Sequence, residues 1–190
     1  MPESTLIPLT VLYTDGRSRV EGATRFQKLV FLTQAETRVP EQYPYHADKY
    51  GPFSPHLQED LQELAADGLL GRTSETNAVG NERYVYSITP DGIRTVRRTV
   101  EATDGLEQLL DSVQQIKREY NDEPLQHLLK YVYRNYESYT TASELDLDRL
   151  FDPDTESQFL DPEDPADQFS GPPPGEWKER NSSAEDIFSV

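Results

Sequence analysis

The sequence predicts an α+β fold: a winged helix-turn-helix domain, a C-terminal helical extension and a disordered acidic tail. Three observations predict it. Residues 24–37 read as a helix with apolar side chains at Phe26, Leu29, Val30, Phe31, Leu32 and Ala35, too many for one narrow stripe, so this helix belongs at the centre of a core. Residues 55–67 read as a second helix, with Leu57, Leu61, Leu64 and Ala65 on one face and Gln58, Glu59, Asp60, Gln62 and Glu63 around the rest. That is the pattern of a surface helix packed on the first. Two strand-like segments follow, Leu69–Thr73 and Arg83–Thr89, the second alternating Tyr84, Tyr86 and Ile88. Two packed helices followed by a strand pair have the order of a winged helix.

The remaining elements follow in chain order. Thr5–Tyr13 is a short apolar helix, with Pro8 tolerable in its first turn. Asp15-Gly16 signals a turn, and the strand-like RVEG leads to the central helix, for which Thr24 is the expected N-cap. That helix must stop before Pro40. The segment PEQYPYHADKYGPFSP predicts an extended stretch at Tyr45–Tyr50 that lays rings on the core, then a turn at Gly51-Pro52. Ser54-Pro55 starts the next helix with a hydroxyl N-cap and proline at N1, and Gly68 ends it. The connection SETNAVGNE between the two strands is long and polar, a flexible wing. Thr89-Pro90-Asp91-Gly92 opens helical sequence to about Thr103, Asp104 restarts it, and Leu106, Leu109, Leu110, Val113 and Ile116 share one face. Leu125, Leu128, Leu129, Val132 and Tyr133 mark a further helix to Tyr136, and Ser143 with Asp146 is a capping-box signal for a last short one ending at Leu150-Phe151. The expected organisation is 5–90 winged-helix domain, 91–151 helical extension and 152–190 acidic, proline-rich tail.

Composition bounds what such a chain can do. Its 190 residues carry 35 acids against 18 bases, a net charge of −17. Acid excess, five lysines against thirteen arginines and no cysteine look like the proteome of a salt-in halophile, where carboxylates hydrate the surface and salt screens their repulsion. Residues 151–190 hold 11 acids and 2 bases, net −9, while residues 1–150 hold 24 and 16, net −8. Over half the net charge therefore sits on about a fifth of the chain, and that segment cannot bury enough apolar surface to offset its ordering entropy. Absence of cysteine removes disulfides and thiol catalysis. Without a long apolar run or a charged-then-apolar start, the expected location is cytoplasmic, with no membrane partner.

Four stretches carry a family resemblance: Thr24–Leu32 (TRFQKLVFL), Lys49–Leu57 (KYGPFSPHL), Asp67–Leu70 (DGLL) and Leu128–Thr140 (LLKYVYRNYESYT). Together they span roughly residues 5–140. They resemble the YwgA-like and Panacea (SocA-type antitoxin) group of winged-helix proteins. The tyrosine-glycine-proline turn before a helix is the most specific part; the rest is mostly core pattern. The resemblance implies a winged-helix fold with a role in transcription control or toxin neutralisation, including as an adaptor that delivers a toxin to a protease. The tyrosine-rich insertion exceeds an ordinary helix-turn-helix turn.

The candidate sites divide accordingly. Direct readout of bases needs Arg, Lys, Asn or Gln on the helix in the recognition position, yet the exposed side of residues 55–67 offers His56, Gln58, Glu59, Gln62 and Glu63 and no base. DNA contacts must then come from Arg17, Arg19, Arg25, Lys28, Lys49, Arg72 and Arg83, with Arg72 and Arg83 flanking the wing as the best phosphate contacts. The bland reading of the same residues, solvated charges and local ion pairs, weighs about equally. Arg94, Arg97 and Arg98 fall at i, i+3, i+4 and form one basic patch that could meet phosphate or the acidic tail; surface pairing with Glu101 is the first expectation. Lys117-Arg118 reads as surface. His46, His56 and His127 show no metal-ligand spacing, and no catalytic motif is present, so neither metal, cofactor nor enzymatic activity is expected. Phe159-Leu160, Phe169, Trp177 and Ile187-Phe188 are spaced apolar anchors in the acidic tail. The first functional expectation is a non-enzymatic transcriptional regulator whose homodimer contacts DNA through the wing. The alternative is an antitoxin-like or adaptor module that meets a toxin or regulatory protein through His56, Glu59 and Glu63 of the acidic helix and Trp177 and Phe188 of the tail.

Overall fold

A computed structural model describes residues 6–37, 39, 41–76, 80, 82–145 and 147–151. The chain is α+β. In order it forms α1 (Leu6–Tyr13), β1 (Val20–Glu21), α2 (Ala23–Glu36), β2 (His46–Asp48), β3 (Gly51–Phe53), α3 (Pro55–Ala66), β4 (Leu70–Thr76), β5 (Glu82–Ile88), α4 (Pro90–Ala102), α5 (Leu106–Tyr120), α6 (Leu125–Asn135) and α7 (Leu147–Phe151). The acidic tail, with Trp177 and Phe188, lies outside the described residues.

α2 is the hub, and every residue from Ala23 to Thr33 is buried. Its apolar side chains share one core with Leu57 and Leu61 of α3, Tyr86 of β5, Val113 of α5 and Leu128 and Val132 of α6. The core thus runs across residue 90 without a break. Phe31 carries three edge-to-face ring contacts, to Tyr45, Tyr136 and Tyr139, at centroid distances of 5.0, 4.9 and 5.1 Å, and so ties the insertion and α6 to α2. The N-cap of α2 is Gly22 at φ +92°, not Thr24, which lies inside the helix and is buried; a left-handed turn out of β1 requires the glycine.

Polar side chains of α2 hold the tyrosine-rich insertion. Gln34 Oε1 accepts from the Gln42 and Tyr43 amides at 3.1 and 2.9 Å, and its Nε2 donates to the Tyr43 carbonyl at 3.0 Å. Gln27 grips Ser54 by accepting from its amide at 3.1 Å and donating to its carbonyl at 3.0 Å. The extended stretch is present, but the turn falls at Lys49-Tyr50 rather than Gly51-Pro52. β2 and β3 pair as a hairpin, with Asp48 opposite Gly51. Gly51 sits at φ +86°, and a Cβ there would lie 3.1 Å from the Tyr133 ring, so close packing against α6 puts glycine in a strand instead of a turn.

Ser54 caps α3 through the Leu57 amide, with Pro55 in the first turn, as the sequence predicts. The three-stranded sheet has the order β1-β5-β4, with β5 antiparallel to both neighbours. The β4–β5 ladder runs from Leu70↔Ile88 to Thr76↔Glu82, so β4 continues three residues beyond the expected Thr73, β5 starts one residue before the expected Arg83, and the connection shrinks to residues 77–81. Thr89 caps α4 by accepting from the Gly92 amide at 3.1 Å. α5 begins at Leu106 behind left-handed Gly105, not at Asp104. Among the described residues, the Ser143 Oγ lies 2.7 Å from the Tyr133 hydroxyl, donates to the Lys49 carbonyl at 3.3 Å and accepts from the Leu145 amide. The expected capping box for α7 rests on Asp146, which lies outside the described residues.

Candidate nucleic-acid and protein interface

The seven bases expected to meet DNA separate into three groups. Arg25 and Lys28 are interior, only 7 % and 2 % exposed. One turn into α2, Arg25 sends a guanidinium N–H to the Tyr120 carbonyl at the end of α5. Lys28 Nζ donates to the Pro52 carbonyl at 2.9 Å. Each cation thus reaches through the core to hold a distant segment, against the expectation of a surface phosphate contact: Lys28 is enclosed, and Arg25 shows only a small part of itself at a cleft beside Arg19.

Arg19, Arg83 and Lys49 stay nearer the surface but are taken by carboxylates. Glu21 of β1 is the junction. Its Oε1 lies 2.8 Å from Arg19, and its Oε2 meets Arg83 of the adjacent strand. Arg19 also reaches Glu75 of β4 at 3.0 Å. β1 pairs with β5, setting Glu21 opposite Val85, and β5 pairs with β4, setting Glu75 opposite Arg83. Two arginines and two carboxylates therefore form one network on the part of the β4–β5 hairpin nearest its connecting segment. Lys49 pairs with Glu144 at 3.2 Å.

Arg17 and Arg72 are exposed and stack on rings. The Arg17 guanidinium lies 5.9 Å from the Tyr13 centroid, and that of Arg72 lies 4.6 Å from the Tyr84 centroid, a cation–π geometry for the latter. Among the described residues, neither meets a carboxylate within 4 Å.

α3 presents His56, Glu59 and Glu63 to solvent. Gln58, read from sequence as part of the exposed side, is buried. Asp60 accepts from the Tyr43 hydroxyl at 2.7 Å; burial first, then this carboxylate, raises the Tyr43 pKa well above the ordinary tyrosine value. One acid of α3 is thus structural, while Glu59 and Glu63 remain outward. Beside Arg19 and Glu21 lies a cleft of about 290 Å³ lined also by Ser18, Arg25, Asn121, Asp122 and Glu123.

Sequence reasoning missed Lys117. It is fully buried rather than on the surface, and Nζ donates to the Thr14 and Ser18 carbonyls at 3.2 and 2.6 Å. Burial lowers its pKa to about 8 against the opposing pull of Asp15 and Asp122. The two carbonyls flank a turn in which Asp15, Gly16 and Arg17 all have positive φ. No spacing signal could have found this partner, nearly a hundred residues away in the chain. Its neighbour Arg118 does lie at the surface, paired with Asp15 at 3.3 Å.

On α4, Arg94 pairs with Asp91. The expected pairing with Glu101 is absent: among the described residues, no ion pair within 4 Å joins Arg97 or Arg98 to it. Among the described residues no group of three or more His, Asp or Glu side chains could hold a metal ion, and no helix is long and apolar enough to cross a membrane. No protein-family model and no curated protein matches the chain.

Proposed function

We propose that the chain is a non-enzymatic winged-helix regulator that works by binding another protein through the acidic face of α3, as an antitoxin-like or adaptor module. The element order α1, β1, α2, α3, β4, β5 and the β1-β5-β4 sheet support the winged-helix reading, with α3 in the recognition position and β4–β5 as the wing. Residues 37–54 depart from it by inserting a hairpin where a short turn would connect the two helices.

The observation that carries protein over DNA is the self-paired wing. Arg19 and Arg83 close on Glu21 and Glu75, so a phosphate would have to displace carboxylates already in place. A duplex carries about one charge per 1.7 Å of axis and would also approach Glu59 and Glu63. A protein surface bearing lysine or arginine meets the same acids favourably, and complementary charge raises its association rate.

DNA binding is the second reading, and Arg72 is the residue that favours it: an exposed wing cation free of carboxylates among the described residues. One such contact is fewer than the several that give non-specific DNA affinity. Anisotropy titration of labelled duplexes at 0.15 M salt and in molar potassium tests the choice. The proposal expects no saturable binding tighter than about 10⁻⁴ M, the weak end of non-specific affinities. Tighter binding that falls on Arg72→Ala and Arg83→Ala overturns it in favour of a DNA-contacting wing.

A further inference from the structure

α4 is rigidly seated, yet its outer face has an electrostatic demand that the described residues do not meet. Gly92 packs so closely on the Leu69 carbonyl that a Cβ would lie 2.1 Å from its oxygen, Val96 is fully buried, and the Thr89 hydroxyl that caps the helix also donates to the Gly68 carbonyl at 2.7 Å. Opposite this seat, Arg94, Arg97 and Arg98 are exposed within one turn. Asp91 answers Arg94. Glu101 lies on the same face one turn on, but no ion pair within 4 Å joins it to Arg97 or Arg98. In a chain of 35 acids and 18 bases, two adjacent arginines without a carboxylate among the described residues run against composition.

The chain itself carries a matching polyanion. From residue 152 to residue 167 there are seven carboxylates and no base. The segment starts directly after α7, whose last residue, Phe151, lies under the Arg134 guanidinium at 5.1 Å. Sixteen residues can span roughly 50 Å when extended, more than the approximately 40 Å diameter of a domain this size, so α4 is within reach. Covalent attachment gives such a segment a millimolar effective concentration.

We infer that residues 152–167 dock on the Arg94–Arg97–Arg98 face of α4, an intramolecular contact governed by salt. Screening sets its range: the Debye length is about 10 Å at 0.1 M and about 3 Å at 1 M, so the contact forms in dilute salt and opens in molar salt. It is independent of what α3 binds.

The chain has no cysteine, so Ser157→Cys carries one nitroxide label without further change. In the isotopically labelled full chain at 0.1 M salt, paramagnetic broadening is expected to concentrate on the amides of Arg94–Glu101. It should fall at least twofold in 2 M potassium chloride and in the Arg97→Glu/Arg98→Glu variant, with amide shifts elsewhere unchanged as the folding control. Broadening that is even over the surface, centred on another element, unaffected by salt, or retained in the double variant overturns the contact. So does broadening that appears only between molecules when labelled and unlabelled chains are mixed. Shifts of the α4 amides on adding duplex DNA, without intramolecular broadening, would instead give this face to an external polyphosphate.

Discussion

Replacing Lys117 by methionine keeps an unbranched side chain of similar length and removes the ammonium from a fully buried site. Its folded pKa is about 8 against an ordinary 10.5, with burial as the main cause. The folded-state value is depressed, so between pH 8 and 10.5 the unfolded chain binds more protons than the folded one. Lysine's titration therefore stabilises the fold as pH rises through this window, and the gain is lost as pH falls through 8. With one pKa unit worth about 1.4 kcal/mol, the gain from pH 7 to pH 10 is roughly 2.5 kcal/mol. Neutral lysine still has two hydrogens for the Thr14 and Ser18 carbonyls, so the clamp on the turn survives deprotonation. Urea unfolding followed by circular dichroism at pH 7, 8, 9 and 10 measures the effect in wild type and Lys117→Met. The stability of wild type relative to the variant should climb by about that amount. Parallel pH profiles for the two proteins would refute the burial argument.

Other perturbations probe the rest of the fold. Gly92→Ala places a methyl group 2.1 Å from the Leu69 carbonyl oxygen and 2.9 Å from Ile88 Cγ1, and should cost about 3 kcal/mol in urea unfolding. Phe31→Ala removes three ring contacts at once and should cost about 3–5 kcal/mol, with hydrogen exchange accelerated in both α2 and α6. Ser54→Ala loses the N-cap of α3 for about 1 kcal/mol, measurable in the same denaturant series. Burial raises the pKa values of Tyr43, Tyr120 and Tyr136 above the ordinary 10.0. Their contribution is fully present below pH 10 and lost as pH rises toward the higher folded values, so tyrosinate absorbance should appear together with loss of helix signal above pH 10.

Local signals carried most of the fold. Ser54-Pro55 and Thr89-Pro90 are helix starts because hydroxyl and proline act within one turn of themselves, and the spacing of Leu125, Leu128, Leu129 and Val132 needs no knowledge of what they touch. The errors come from partners distant in sequence. Lys28 and Lys117 look like surface residues because an isolated lysine prefers water. Only folding supplies the carbonyls of Pro52, Thr14 and Ser18. Gly51-Pro52 has the composition of a turn, and the Tyr133 ring on α6 is what presses the glycine into a strand. The candidate site was legible by half. The acidic exposed face of α3 could be read directly, whereas pairing of Arg83 with Glu21 depends on β1 lying beside β5, which no local pattern encodes. Arg19 and Arg83 therefore read as phosphate contacts from the sequence, whereas the sheet order brings both to Glu21 and Arg19 to Glu75 as well.

The central proposal is that the acidic face of α3, rather than the wing, meets the partner. Quantitative affinity purification from the native cell in its own salt tests it most directly, comparing wild type, Glu59→Lys/Glu63→Lys and Arg72→Ala/Arg83→Ala with folding verified for each. The account predicts a protein recovered in fixed proportion with wild type and with the wing variant, and lost from the α3 variant. Retention by the α3 variant, or recovery of nucleic acid that disappears only with the wing variant, would contradict it.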